Sequence, residues 1–595
     1  MAGKKADRDA KIIQDWRLKP EQLSDDQLNV IHVPYQCGLL TIKEQEITDL
    51  NAFSLVENMV NRKYSSYESE WLDNPDTNTE KVTLAFCKRA AIAQQLVKIH
   101  HKVNCLSEIF FEEAMSAAKK LDDDFEKSGI PRGPLHGLPV SLKDCFQIEN
   151  TDAAIGYTTL VNQPSSKQDE SEITRIMRES GAILFCKTNV PTALMSGETF
   201  NSIYGYTSNP YNRNFSSGGS SGGESALLAL HGSPLGVGTD IGGSVRIPAS
   251  FCGLYSLKPS FGRFSTAGIR DSLNGQEAVR NTVGPMAHSL KDIEIWCQTV
   301  VDSQSHVSAD PDCLPIPWRD YQIPQKLCFG EFILMRLDRS HRTDIPGFLL
   351  DDGIVKPLPP VTAALLRLKK GLEAAGHVVV EFCMFPLYQS AAARRLGETL
   401  SLTKEPWPRG YELLENMIKD DNVVPATVSD LWEAQVQRTD YCKRVLQKWA
   451  DTKNYTGIGR EIDGLIMPCS PWSASSKSST TSWHSFKPLN ELELYTNGPR
   501  HGFIYDSYTS IWNILDYPAI TIPMMGLYSE EWKNPNYQPR NELESRIWAD
   551  LTNEDSIEEM AGLPVSAQVV GRRLSEEYLL GVAKVIDGSL KMQNS

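Results

Sequence analysis

The 595-residue sequence predicts an α/β fold. Short apolar runs typical of buried strands alternate with amphipathic stretches of helical spacing, and this alternation indicates a sheet covered by helices. Hydrophobic residues make up 41% and charged residues 23% of the chain, close to the average for soluble globular proteins. A large core can therefore be buried, and disorder is not expected.

The predicted elements follow one another along the chain. Residues 1–80 form a polar extension with short amphipathic helices, one of them at 45–61. Beyond it we predict helices at 80–101, 107–128, 170–180, 224–231, 359–376 and 574–586, and strands at 181–187, 234–238, 377–383 and 563–570. The Ser/Thr-rich run 472–486 is predicted to be a surface loop, and the polar run 526–560 an insertion.

Charge and cysteine content exclude several classes of protein. The net charge of −15 argues against nucleic acid as a partner, because phosphate binding requires a basic face. The sequence has neither a long apolar run nor a signal-peptide pattern at its start, so we expect a cytoplasmic protein without a transmembrane segment. The 12 cysteines are scattered without a CxxC pair, which predicts reduced thiols and no metal site.

Three segments carry the residue types of a nucleophilic site. They read GLPVSLKD (137–144), GGSSGG (218–223) and GTDIGGSVR (238–246). A lysine chosen at random is usually solvated, but Lys143 follows an apolar run containing Leu138, Val140 and Leu142. Poor solvation disfavours a protonated amine, and a neutral lysine can act as a general base.

The two glycine-rich segments have different roles in this interpretation. The run 218–223 has the composition of a flexible linker, but a helix-like apolar stretch follows it directly. A turn at a helix N-terminus presents N–H groups to an anion or a developing oxyanion. Ser244 follows Gly242 and Gly243, whose lack of Cβ atoms lets backbone N–H groups approach a carbonyl oxygen. This segment therefore predicts a nucleophile together with its oxyanion hole.

Other nucleophile and phosphate motifs fit less well. The sequence lacks GxxxxGK[ST], and its glycines do not have GxGxxG spacing, so neither a P-loop nor a dinucleotide fingerprint is expected. GGSSG at 218–222 formally matches the G-x-S-x-G elbow of α/β-hydrolases, which would make Ser220 the nucleophile. That elbow requires a preceding buried strand, whereas residues 209–217 are polar. We therefore favour Ser220 as a relay to Ser244.

Together these segments resemble the amidase signature family, most of all its fungal acetamidase-type members and more distantly the fatty acid amide hydrolases. Lys143 and Ser220 lie 77 positions apart, and Ser220 and Ser244 lie 24 apart. The resemblance extends from about residue 80 to the C-terminus. It includes the runs KTNVP (187–191), NILDYPAITIP (513–523) and LPVSAQVVG (563–571).

The resemblance implies a fold and an assignment of site residues. The fold is a single α/β/α domain over 81–595 around a mixed, twisted sheet of about eleven strands. Residues 133–260 form its signature core, and the divergent region 472–560 borders the substrate channel. Ser244 would be the acylated nucleophile, Ser220 the bridging serine on a cis peptide bond, and Lys143 the base. The family's oxyanion hole matches Ile241, Gly242, Gly243 and Ser244, its acyl-pocket stretch matches Leu194, Met195 and Ser196, and its supporting polar groups match Ser221, Asp240 and Arg246.

The implied function is hydrolysis of a small-molecule carboxylic amide to the acid plus ammonia or an amine. The reaction would proceed through an acyl-enzyme and require no metal or cofactor. Three alternatives stay open: a glutamine-type amidotransferase subunit, an ester or lactam hydrolase that uses the same relay, and a non-catalytic scaffold. The N-terminal helices offer a face for a homodimer.

Overall fold

A computed structural model describes residues 2–19, 27–62, 79–96, 103–334, 355–384, 427–473, 506–524 and 562–594, together with residue 352 and a few positions between 538 and 560. Within these residues, one sheet of 11 strands forms the centre of the fold. Its strands are β1 (Leu106–Ile109), β2 (Pro139–Lys143), β3 (Ile183–Thr188), β6 (Leu235–Asp240), β7 (Tyr255–Lys258), β8 (Thr282–Ala287), β9 (Cys328–Leu334), β10 (Val378–Met384), β11 (Gly464–Pro468), β12 (Ala519–Met524) and β13 (Val565–Val570). A separate hairpin consists of β4 (Phe200–Asn201) and β5 (Gly205–Tyr206).

The sheet mixes parallel and antiparallel pairs. The strand order is β1-β3-β2-β6-β8-β7-β12-β13-β11-β9-β10. β2 runs parallel to β3 and β6, and β9 runs parallel to β10 and β11. The remaining neighbours are antiparallel. The predicted α/β class with a large mixed central sheet is confirmed.

Helices flank the sheet throughout the described residues. They are α1 (Ala2–Ala10), α2 (Val33–Gln36), α3 (Ile42–Asp49), α4 (Ala52–Val60), α5 (Thr79–Gln95), α6 (Phe111–Ser128), α7 (Glu172–Glu179), α8 (Gly222–Ala229), α9 (Arg246–Phe251), α10 (Leu290–Asp302), α11 (Ser305–Ala309), α12 (Pro359–Ala374), α13 (Val428–Asp451), α14 (Ser507–Ile514) and α15 (Glu576–Asn594). Side-chain caps begin several of them: Ser289 accepts a hydrogen bond from the Asp292 N–H, and Thr427 and Asp430 form a capping box.

Two predicted elements differ from the structure. The helix expected at 45–61 is two helices, α3 and α4, because the Asn51 side chain accepts a hydrogen bond from the Ser54 N–H and starts a new helix. The helix expected from residue 107 begins only at Phe111, since Leu106–Ile109 pairs with β3 as an edge strand. Most of the predicted loop 472–486 and insertion 526–560 lies outside the described residues.

The two faces of the sheet differ in polarity near β2. Val140 and Leu142 join the main apolar core, which also contains Trp296 of α10 and Leu580 of α15. Since side chains alternate along a strand, Ser141 and Lys143 point to the other face, where α8 packs. The sequence therefore places its polar site on one face and its largest apolar cluster on the other.

The N-terminal helix is tied to the edge of the sheet. Arg8 is buried, donates to the Leu106 carbonyl at 2.6 Å and lies over the Tyr204 ring. Lys4 forms ion pairs with Glu108 at 2.5 Å and Asp152 at 2.8 Å. These contacts hold α1 against the β1 edge of the sheet.

Two further expectations can be compared with the described residues. All described cysteines are free thiols, and all except Cys442 are buried. Among the described helices, none combines the length and the apolar character that crossing a bilayer requires.

We predict that Gly284→Ala destabilises the fold. A Cβ at Gly284 would overlap the Leu257 carbonyl of the neighbouring strand, which cannot move without disturbing the ladder. Overpacking of this kind costs about 1–3 kcal/mol, measurable as a lower urea midpoint of unfolding. Gly588→Ala is the matched control, since open space surrounds that helical position and alanine is the better helix former. Equal midpoints for the two variants would contradict the prediction.

Candidate active site

The carboxyl end of β2 carries a buried amine. Lys143 is inaccessible to solvent, and its Nζ lies 2.8 Å from Ser220 Oγ, 2.8 Å from Thr239 Oγ1 and 3.2 Å from the Thr239 carbonyl oxygen. Burial lowers the pKa of Lys143 to about 8, and the charges of nearby acidic groups, Cys145 and Asp240 among them, limit the decrease. A substantial fraction of this amine is therefore neutral near physiological pH.

Ser220 lies in a tight turn just before α8. The Gly219–Ser220 peptide bond is cis, as the resemblance implied. Gly218 has φ +85°, and a Cβ there would come within 2.7 Å of Pro248 Cα. Only glycine combines that backbone conformation with so close an approach, which explains the glycine density of the segment.

A buried carboxylate fixes α8 against the strands below it. Glu224 accepts hydrogen bonds from the hydroxyls of Ser141 on β2 and Thr188 on β3. Burial raises the pKa of Glu224 to about 7, while the two hydroxyl hydrogen bonds oppose that shift. This contact holds the turn that carries Ser220 beside the end of β2.

The turn after β6 combines Ser244 with free backbone donors. Gly243, at φ +135°, donates its N–H to Asp240 Oδ1 at 2.8 Å. In the described part of the chain, the N–H groups of Ile241, Gly242 and Ser244 donate to no acceptor. Of the four N–H groups in the predicted set, only that of Gly243 has an acceptor within the described residues.

An ion pair with complete hydrogen bonding supports this turn from below. Both Asp240 and Arg246 are fully buried, with Arg246 Nε 3.0 Å from Asp240 Oδ2 and Nη2 3.0 Å from Oδ1. Burial alone would raise the pKa of Asp240, but the Arg246 charge and the donated hydrogen bonds hold it well below its usual range. Three distant residues complete the network around Arg246: Thr509, Asn513 and Gln568.

Five of the twelve predicted site residues line one pocket. It is lined by Leu194, Met195, Ser220, Thr239, Ile241, Ser244, Asp271 and Asn281. Leu194 and the preceding Ala193 both have φ near +60°, an uncommon conformation for residues with a Cβ. Of the predicted acyl-pocket residues, Ser196 does not line the pocket, because its hydroxyl accepts from the Glu198 N–H.

Ser221 contacts the second serine-bearing turn through its backbone. Its N–H donates to the Ser244 carbonyl at 3.1 Å, which joins the two serine-bearing turns. Its buried hydroxyl has no hydrogen-bond partner among the described residues, so its support is given by the backbone.

Sequence reasoning missed several residues of the site. Thr239 contacts Lys143 through two atoms, although its only signal was its place beside Asp240 in GTDIGGS. Asn513 and Gln568 contact the Asp240–Arg246 pair from runs that carried the family resemblance, NILDYP and LPVSAQVV. Asp271 and Asn281 of the pocket wall had no signal at all.

Known proteins match this architecture over nearly the whole chain. A family model described as Amidase matches residues 81–580. The chain belongs to the amidase signature family. It is thus an amidase, an enzyme that hydrolyses carbon–nitrogen bonds of amides. The predicted resemblance to the fungal acetamidase-type members of the family is also confirmed.

The similarity to individual relatives is end to end. The acetamidase of Aspergillus oryzae is 32% identical, over 98% of this chain and 97% of the relative. The acetamidase of Emericella nidulans is 33% identical, over 98% of this chain and 97% of the relative. The solved structure of a fatty acid amide hydrolase superposes with a TM-score of 0.78 at 28% identity, covering 99% of this chain and 94% of that one. A bacterial aryl acylamidase of the amidase signature family shares the fold, with a TM-score of 0.65 at 18% identity, over 91% of this chain and 96% of that one.

We predict that Arg246→Lys destabilises this amidase by about 3 kcal/mol, because lysine cannot replace the two-pronged contact and leaves Asp240 incompletely paired. Because the pKa of Asp240 is lower in the folded than in the unfolded protein, its ionised form stabilises the fold at any pH above the unfolded-state pKa. That contribution is lost as the pH falls toward the folded-state pKa. The difference in urea midpoint between the variant and the wild type should therefore narrow in acid. Arg178→Lys, at an exposed residue 3.4 Å from Glu170, is the control and should change stability by less than about 1 kcal/mol. An Arg246→Lys protein as stable as this control would refute the assigned role.

Proposed function

We propose that this amidase cleaves a small carboxylic amide to the acid plus ammonia or an amine through a Ser244 acyl-enzyme, with Ser220 and Lys143 as the proton relay. The observation that carries the proposal is the contact of 2.8 Å between the buried Lys143 amine and Ser220 Oγ, at a pocket that Ser244 also lines. Nucleophilic serine catalysis requires an adjacent base, and a lysine of lowered pKa can provide it.

The hydrogen-bond inventory of a neutral lysine fits this arrangement. A neutral amine has two N–H donors and one lone pair. The Thr239 carbonyl and hydroxyl oxygens accept the two N–H groups. The lone pair is then directed at Ser220, whose hydroxyl donates to it. Thr239 thereby orients the base, and Ser220 is ready to lose its proton.

The first half-reaction forms the acyl-enzyme. Ser244 gives its proton to Ser220, which passes its own proton to Lys143 Nζ, and Ser244 Oγ bonds to the amide carbon. The oxyanion is held by the N–H groups of Ile241, Gly242 and Ser244, which donate to no acceptor within the described residues. Ile241 and Ser244 also line the pocket. The relay then returns the proton to the amide nitrogen, the carbon–nitrogen bond breaks, and ammonia or an amine departs.

The second half-reaction releases the acid. Water gives a proton to the same relay and attacks the acyl carbon, and the Ser244 Oγ–carbon bond breaks as Ser244 regains its proton. Every step exchanges protons among Lys143, Ser220, Ser244, the substrate and the attacking water, so the cycle returns the residues to their starting state.

We predict that a fluorophosphonate probe attaches to Ser244. Intact-mass measurement and peptide mapping of the wild type should show one adduct there. Ser244→Ala should give none, and Ser220→Ala should be labelled at least about a hundredfold more slowly, since removal of a positioned proton acceptor costs this much. Ser196→Ala is the matched control and should be labelled at the wild-type rate, because its hydroxyl contacts Glu198 rather than the pocket. An adduct on Ser220 would replace the relay with the nucleophile-elbow interpretation.

We predict that kcat/KM for amide hydrolysis rises with pH and levels off above a midpoint near 8. Burial lowers the pKa of Lys143 to about 8, so below that pH the base is increasingly protonated and the rate falls about tenfold per pH unit. Lys143→Arg keeps the charge but cannot release its proton, and it should lose at least about a thousandfold at every pH. Lys291→Arg, at an exposed residue paired with Glu294, should leave the profile unchanged. A flat wild-type profile between pH 6 and 9 would rule out this base.

A further inference from the structure

Asp271 and Asn281 line the pocket without taking part in the proposed relay. Asp271 Oδ1 accepts from the Leu273 N–H at 3.1 Å, and Oδ2 accepts from Asn281 Nδ2 at 3.3 Å. Each carboxylate oxygen can accept two hydrogen bonds, so acceptor capacity is left on both.

The backbone on either side of Asp271 is anchored to the site. The Arg270 N–H donates to the Cys145 carbonyl at 2.9 Å, two residues beyond Lys143. The Ser272 hydroxyl donates to the Ala193 carbonyl at 2.6 Å, beside the turn that carries Leu194. Asp271 is therefore held between the base and the apolar wall of the pocket.

Asn281 is placed just as firmly. It directly precedes β8, whose Thr282 pairs with Asp240 at the end of β6, and the Thr282 hydroxyl donates to the Asp240 carbonyl at 3.1 Å. Its amide thus reaches Asp271 from the strand next to the oxyanion turn.

The Asp271 carboxylate has no cationic partner within the described residues. The adjacent Arg270 points away, with Nη2 3.3 Å from Gln147 Oε1. The partners of the Asp271 carboxylate are the neutral N–H groups of Leu273 and Asn281, so its charge is not cancelled locally. That charge also acts on the base, since Asp271 is among the acidic groups that raise the pKa of Lys143 against the larger effect of burial.

An uncompensated carboxylate in a half-enclosed pocket discriminates among substrates by charge. It attracts an ammonium or another hydrogen-bond donor on the substrate and repels a second carboxylate, and both effects strengthen as water is displaced. In a primary amide the acyl group is the substituent that meets this wall, because ammonia is the leaving group.

We propose that Asp271, oriented by Asn281, is a specificity-determining residue that favours amides whose acyl group carries an ammonium or a neutral donor and rejects amides whose acyl group carries a carboxylate. The proposal rests on the proposed Ser244 chemistry and adds the substrate class. The expected substrates are therefore primary amides whose acyl group is positively charged or neutral.

The test compares three primary amides of equal acyl chain length: β-alaninamide, butyramide and succinamate. For the wild type we expect kcat/KM for β-alaninamide to equal or exceed that for butyramide, and succinamate to be the poorest substrate by at least about tenfold. Asp271→Asn keeps the size of the side chain, and it should lower the ratio of β-alaninamide to succinamate by at least about tenfold.

The matched control is Glu277→Gln. It removes one negative charge from the same loop at a side chain that is 70% exposed and does not line the pocket, so the ratio should stay at the wild-type value. A change of less than twofold in Asp271→Asn, or the same change in both variants, would overturn the proposal. So would a wild type that prefers succinamate, a result that does not depend on any variant.

Labelling rates separate the failure of this proposal from failure of the Ser244 mechanism. Fluorophosphonates with a 3-ammoniopropyl or a butyl group report charge preference without turnover, and Asp271→Asn should slow the cationic probe relative to the butyl probe. Labelling at Ser244 with an unchanged ratio of probe rates would refute only the charge selection. Absence of labelling at Ser244 would refute the Ser244 mechanism and the inference that rests on it.

Discussion

The proposed relay depends on burying the Lys143 amine without a carboxylate in direct contact. Desolvation penalises the charged form, and an adjacent carboxylate would restore it, so the amine stays available as a base only if its partners are neutral. Ser220 and Thr239 are such partners. The carboxylate of Asp240 is paired with Arg246 instead. The positive charge of Arg246 offsets that of the carboxylate, so Asp240 stabilises the protonated form of Lys143 less than an unpaired carboxylate would.

The Asp240–Arg246 pair extends this requirement to the rest of the sheet. A fully buried ion pair stabilises a fold only if its remaining donors and acceptors are satisfied, and here α14 and β13 provide Asn513 and Gln568. Residues more than 260 positions apart thereby hold the turn after β6. The long mixed sheet brings β6 and β13 close enough to share this network.

Local patterns were sufficient to predict some features and insufficient for others. Alternating Val140 and Leu142 indicated the buried strand that ends at Lys143, and the glycines around Ser220 and Ser244 indicated tight turns. The break at Asn51 could not be predicted from apolar spacing, because the spacing continues across it and a single cap decides the outcome. The family resemblance, rather than any residue pattern, predicted the strand number. Contacts such as Asn513 to Asp240 depend on strand order, which local periodicity does not determine.

Buried lysines at strand ends are not in themselves a sign of catalysis. Lys143, Lys187 and Lys258 are all buried, and burial lowers the pKa of each. Lys258 donates to the carbonyls of Trp512 and Tyr517, and Lys187 donates to the Asp152 carbonyl with Asp144 at 3.9 Å. A carbonyl oxygen has no proton to give, so these two lysines can only donate. Lys143 differs in facing the Ser220 hydroxyl, and the identity of that partner, more than the burial or the shifted pKa, supports its proposed role as a base.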